Sequence, residues 1–106
     1  MPKYLVRGSY TLEGVRGLVK DGGSKRRTAA QQAVESVGGK VEAFYFSFGK
    51  NDVVAIVDVP DNASAAAVSL AIAAAGGFRP RTTVLLSPEE IDQAAKKTVR
   101  YRPPGQ

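Results

Sequence analysis

Two hydrophobic patterns alternate along the chain, one with the two-residue period of a strand and one with the 3.6-residue period of a helix. The clearest stretch is residues 44–59, where two apolar runs flank Gly49, Lys50, Asn51 and Asp52. That arrangement predicts a β-hairpin with strands over 40–48 and 52–59. In the first run Phe44, Phe46 and Phe48 alternate with Ala43, Tyr45 and Ser47. The second run is apolar on both faces except at Asp58, and such a strand must be covered on both sides.

Residues 3–10 are rich in β-formers and predict a first strand. Residues 11–23 hold Gly14, Gly17, Gly22 and Gly23. Each glycine weakens a helix by about 1 kcal/mol, so this segment reads as a loop with one turn around 15–19. A helix is expected over 25–37, where Ala30, Ala33, Val34 and Val37 form one apolar stripe before Gly38-Gly39. Two starts fit it. Ser24 as cap puts Lys25, Arg26 and Arg27 in the first turn, against the helix dipole; Thr28 as cap pairs with Gln31 in a capping box. Pro60 stops the preceding strand, and Asp61 or Asn62 can cap an alanine-rich helix over 62–75 that ends at Gly76-Gly77. A strand over 79–86 follows, then a short helix after Ser87 with Pro88 at its first position and Glu90 completing a capping box. The domain is placed at 1–97, with a basic, proline-containing tail over 98–106.

The order β-α-β-β-α-β predicts an α+β, ferredoxin-like sandwich with two helices on one face of a four-stranded antiparallel sheet. The other face would carry apolar residues into water. A patch of that size is expected to be covered by self-association through the open sheet face, or by a ligand or partner laid on it.

Composition narrows the chemistry. A length of 106 residues suits one domain. Cysteine and histidine are absent, which excludes disulfides, thiol catalysis, thiolate metal sites and imidazole bases or ligands. No apolar run reaches the 18 or so residues of a membrane span, and the N-terminus lacks a secretory apolar core, so a cytoplasmic protein without a membrane partner is expected. The net charge of +5 is spread along the chain. A solvated surface accounts for it, with an anionic partner as the alternative.

Phe48-Gly49-Lys50-Asn51-Asp52-Val53-Val54-Ala55-Ile56-Val57, followed by Val59-Pro60-Asp61, resembles the GYD-domain family. Tyr4-Leu5-Val6 with Ser9-Tyr10-Thr11 and Gly14 is similar too, as is Ser24-Lys25-Arg26 leading to Gly38-Gly39-Lys40-Val41. Gly49 and Asp52 stand at signature positions, whereas Asn51 occupies the place of the signature tyrosine. The resemblance spans about residues 3–90. It implies a ferredoxin-like fold, commonly paired as a dimeric α/β barrel, and brings no established activity with it. Related barrels include cofactor-independent or haem-using monooxygenases and ligand-sensing domains, an analogy of fold alone. The turn residues Gly49, Asn51 and Asp52 have a conformational reading, since glycine and asparagine tolerate positive φ.

Several constellations remain as candidates. Lys25, Arg26 and Arg27 behind Gly22-Gly23 could bind an anion, although P-loop spacing is missing. Arg7 and Ser9 on one strand and Arg81 and Thr83 on another, with Tyr45 or Tyr10 nearby, could hold a small anionic or planar molecule; cross-strand pairing explains the same residues without a ligand. Asp52, Asp58 and Asp61 are the acidic residues near the hairpin. EF-hand spacing is absent and turn or cap roles suffice, so neither a metal nor a cofactor is expected. Nucleic-acid binding is not expected either, because the third strand offers no aromatic for base stacking. The leading expectation is a homo-oligomer, dimer or higher, acting as a small-ligand-binding or regulatory module without catalysis. The alternatives are a cofactor-independent enzyme of the barrel-monooxygenase type using Tyr or Asp, and an interaction protein whose tail at 99–104 docks on a neighbour.

Overall fold

The computed structural model describes residues 1–106. Its elements run β1 (Lys3–Tyr10), α1 (Leu12–Asp21), α2 (Gly23–Glu35), β2 (Lys40–Phe46), β3 (Val53–Asp58), α3 (Asn62–Ala75), β4 (Phe78–Leu85) and α4 (Pro88–Ala95). The strands form one antiparallel sheet in the order β2-β3-β1-β4, consistent with a ferredoxin-like arrangement. On one face α2 packs over β2 and α3 over β4. No helix is long and apolar enough to cross a membrane.

The main departure from the sequence reading is α1, which stands where a loop was expected. Thr11 caps it by accepting the Gly14 N–H at 3.2 Å, while Glu13 and Lys20 sit at the ends the helix dipole favours. Gly14 is glycine for a reason of packing, since a Cβ there would lie 1.8 Å from the Gly77 carbonyl oxygen. Gly22, with φ of 85°, closes α1 and opens α2 at once. Helix α2 therefore starts at Gly23, and neither Ser24 nor Thr28 caps it. The Thr28 hydroxyl instead donates back to the Ser24 carbonyl at 3.1 Å. The other caps agree with expectation: Asp61 accepts the Ser64 N–H at 2.8 Å, and Ser87 and Glu90 exchange bonds of 3.1 and 3.0 Å.

Strand β2 ends at Phe46, so Phe48 falls beyond it, fully exposed, and not in a core row. A bulge between Val41 and Ala43 shifts the side-chain phase of β2. Val41 and Phe44 consequently line the helix side together, and Phe44 meets Phe46 edge-on with ring centroids 5.3 Å apart. The freed Glu42 accepts from Lys3 Nζ at 2.9 Å, as does the buried Asp58 at 2.9 Å.

At the outer edge of β4, Pro80 faces Gly8 of β1. The Gly8 carbonyl points the other way, accepting the Asp52 N–H at 2.8 Å. In an antiparallel ladder that makes Gly8–Pro80 a non-hydrogen-bonded pair, with the proline nitrogen turned outward.

The tightest packing gathers Tyr4, Val34, Val57, Val59 and Ala65. Tyr4 is wholly buried, its hydroxyl donating to Asn62 Oδ1 at 2.6 Å. Only nine of 106 residues are buried, so this cluster closes one end of the body and leaves the rest of the layer thin. Residues 88–106 are all exposed, and α4 packs extensively on no other element. This projecting arm raises the radius of gyration to 16.9 Å, against roughly 13 Å for a compact chain of about 100 residues.

Candidate functional site

Between the sheet and the helices lies a cavity of about 540 Å³. Val6, Val53 and Ala55 lie on its sheet side, Ala30 and Ala33 come from α2, and Ile72 comes from α3. Its origin is compositional. Both helices present mainly alanine, and they do not pack closely on one another. Short side chains on two separated helices leave space above an apolar sheet that larger residues would fill.

The polar residues on this lining are unevenly matched. Ser69 and Thr82 satisfy each other through a 2.6 Å hydrogen bond. Tyr10, Glu13 and Arg26 come together where β1, α1 and α2 meet. The Tyr10 ring packs edge-on against Phe78 with centroids 5.1 Å apart. Its backbone N–H donates to Asp52 Oδ2 at 2.9 Å. Burial pushes the Tyr10 phenol above its ordinary pKa, and the neighbouring Arg26 guanidinium only partly opposes the shift. The phenol is therefore protonated at neutral pH and able to donate a hydrogen bond. Arg26 reaches Asp21 at 3.7 Å, a long and half-exposed pairing.

The residues expected to make a ligand pocket divide between the two faces of the sheet. Arg7 lies opposite Arg81 and Val54, and Val54 lies opposite Tyr45, so these residues form one row on the open face. Thr83 pairs with Leu5 in the adjacent row, and Ser9 follows on the other side, donating to the Lys50 carbonyl at 3.1 Å. Tyr10 alone faces the cavity. Arg81 donates to the Asn51 side-chain carbonyl, while Arg7 Nε is buried without a partner. Half-buried Leu5, Val54 and Ile56 give the open face an apolar centre, and Tyr45 stands 70% exposed beside them.

The three clustered cations also part. Arg26 lines the cavity, whereas Lys25 and Arg27 are exposed and outside it. Of the acidic residues, Asp52 holds the Tyr10 N–H, Asp58 holds Lys3 and Asp61 caps α3. In the turn, neither Gly49 nor Asn51 has positive φ, so the conformational reason expected for them does not apply. The turn works through hydrogen bonds: Asp52 ties it to β1 by side chain and backbone, and its carbonyl accepts the Ser47 N–H at 2.9 Å. Sequence reading missed the cavity. The signal for it was present in the run of alanines on both predicted helices opposite an apolar strand.

A model of the GYD domain matches residues 4–95 of the 106-residue chain. The chain belongs to the GYD domain family. No curated protein and no solved structure matches it. In this GYD domain the signature turn is the clamp between β1 and the start of β3, and its Asp52 bonds the backbone of the cavity residue Tyr10.

Proposed function

We propose that this GYD domain is a small-ligand-binding or regulatory module, a ferredoxin-like unit that pairs through its open sheet face into a dimeric α/β barrel. The observation that carries the reading is the cavity. Its 540 Å³ falls within the roughly 300–1,000 Å³ of small-molecule sites, which are mostly apolar with a few placed polar groups. The lining is mainly apolar and partly open to water, so an occupant that covers it gains about 25 cal/mol per Å² of apolar surface removed from solvent.

Pairing draws its support from the other face. Leu5, Val54 and Ile56 make an apolar centre, bordered by Arg7, Arg81 and the exposed Tyr45. That is the layout of an interface, apolar within and polar at its border. Two roles then use two faces, assembly on one and ligand on the other. Native mass spectrometry of the purified protein tests both together. Dimers or higher oligomers carrying a retained small molecule are expected. A bare monomer at micromolar concentration, with no mass retained, refutes the proposal.

A further inference from the structure

We propose that the cavity takes an amphiphile with a carboxylate head, the head held by Arg26 and the Tyr10 hydroxyl and the apolar body lying between α2, α3 and the sheet. This rests on the ligand-binding reading above and adds the chemical class of the ligand.

The geometry that points to it is the uneven placing of polar groups on one lining. Ser69 and Thr82 satisfy each other and ask nothing of an occupant. That leaves Tyr10, Glu13 and Arg26 at one end, with valine, alanine and isoleucine around the remainder. Arg26 is the one cation on the lining. Its 3.7 Å approach to Asp21 leaves guanidinium donors free, and a guanidinium fork matches the two oxygens of a carboxylate with two parallel hydrogen bonds. The Tyr10 phenol beside it supplies a second donor.

Nearby charges set the sign. Glu13 opposes an anion, but it is exposed and remains solvated. Arg16 and Lys20 on α1 and Lys25 and Arg27 on α2 outnumber Glu13, Asp21 and Glu35 in the same two helices. Helix α2 opens without a side-chain cap and without an acidic residue in its first turn, so its dipole adds to the field around Arg26. A polyphosphate would need several cations on a polar lining; here a single arginine meets an apolar one, which suits a single charge on a greasy body.

The test is displacement of the neutral fluorescent probe N-phenyl-1-naphthylamine from the full-length protein by decanoate and by 1-decanol. Decanoate is expected to displace the probe at about tenfold lower concentration than decanol, the scale of one charge-assisted hydrogen bond. Arg26→Gln is expected to keep the probe and erase that preference, and Tyr10→Phe to reduce it. Ala30→Phe, with its fold checked by circular dichroism, is expected to exclude probe and both displacers. Equal displacement by decanol and decanoate overturns the head-group assignment while leaving the ligand-binding reading intact. So does a preference that survives Arg26→Gln. Probe uptake unchanged by Ala30→Phe puts binding elsewhere and overturns the site. Failure of the wild-type protein to take up the probe at all overturns both readings.

Discussion

Alanine placed singly at Gly17 and at Gly14 gives opposite effects within one helix. At Gly17 a new Cβ meets no atom within 4 Å. The substitution then gains only helix propensity, about 0.8–1 kcal/mol. For a domain of this size that raises Tm by about 4–8 °C per kcal/mol. At Gly14 the same methyl lies 1.8 Å from the Gly77 carbonyl oxygen and 2.9 Å from the Tyr10 ring, well inside the roughly 3.5 Å at which non-bonded heavy atoms sit. Relief requires α1 to move off the 76–77 turn. That movement stretches the bonds from the Thr11 N–H to the Gly77 carbonyl, 3.0 Å, and from the Thr11 hydroxyl to the Gly76 carbonyl, 2.8 Å. Two hydrogen bonds at about 1 kcal/mol each, plus overpacking of 1–3 kcal/mol, outweigh the propensity gain and leave a net loss of about 2–4 kcal/mol. Thermal melts followed by circular dichroism, with urea midpoints, read both variants. Gly14→Ala as stabilising as Gly17→Ala would refute the contact with Gly77. A destabilising Gly17→Ala would refute the helix itself.

Three further outcomes are expected. Asp52→Ala removes the acceptor of the Tyr10 N–H and lowers stability by about 1–2 kcal/mol, while Asp52→Asn, which keeps an acceptor oxygen, recovers part of it; an unmoved urea midpoint for Asp52→Ala counts against the clamp. The Ser64 amide and hydroxyl hold the Asp61 carboxyl below its ordinary pKa. The unfolded chain thus binds that proton more tightly, so the cap's contribution is complete above the ordinary carboxylate range and lost as pH falls through the depressed value. The Tm gap between wild type and Asp61→Ala is expected to be full near about pH 6 and to shrink as pH falls below the ordinary carboxylate range, and a gap independent of pH contradicts the assignment. Ile56→Asp puts a charge in the apolar centre of the open face and is expected to shift the oligomer toward monomer in sedimentation velocity; an unchanged oligomer rules that face out as the interface.

The strands, α3 and α4 were legible because their signals are local: alternation along β2, the unbroken apolar run of β3, Asp61 before an alanine run, and the Ser87-Pro88-Glu89-Glu90 start. The neighbouring of Arg7 and Arg81 was legible as well, since the β-α-β-β-α-β order sets β1 beside β4. Helix α1 was not, because Gly14 and Gly17 each count against a helix, and the reason for Gly14 is a contact with Gly77, 63 positions along the chain. Alternation along β1 sets Tyr10 with Tyr4 and Val6 and apart from Arg7 and Ser9, but which of those two faces the helices cover was undetermined until the fold placed Val6 and Tyr10 on the cavity lining. The cavity depends on how far apart two helices stand, a quantity that no periodicity encodes.

The outward-facing Pro80 and the bulge between Val41 and Ala43 interrupt both rims of the sheet. A rim that lacks one donor, or that breaks phase with an incoming strand, is a poor template for adding strands one after another. Growth along the sheet into a fibre is thereby discouraged at either side. The pairing proposed above uses the sheet's face instead, where a two-fold arrangement closes on itself and stops. Two local irregularities on opposite strands are thus compatible with that closed assembly and work against an endless one.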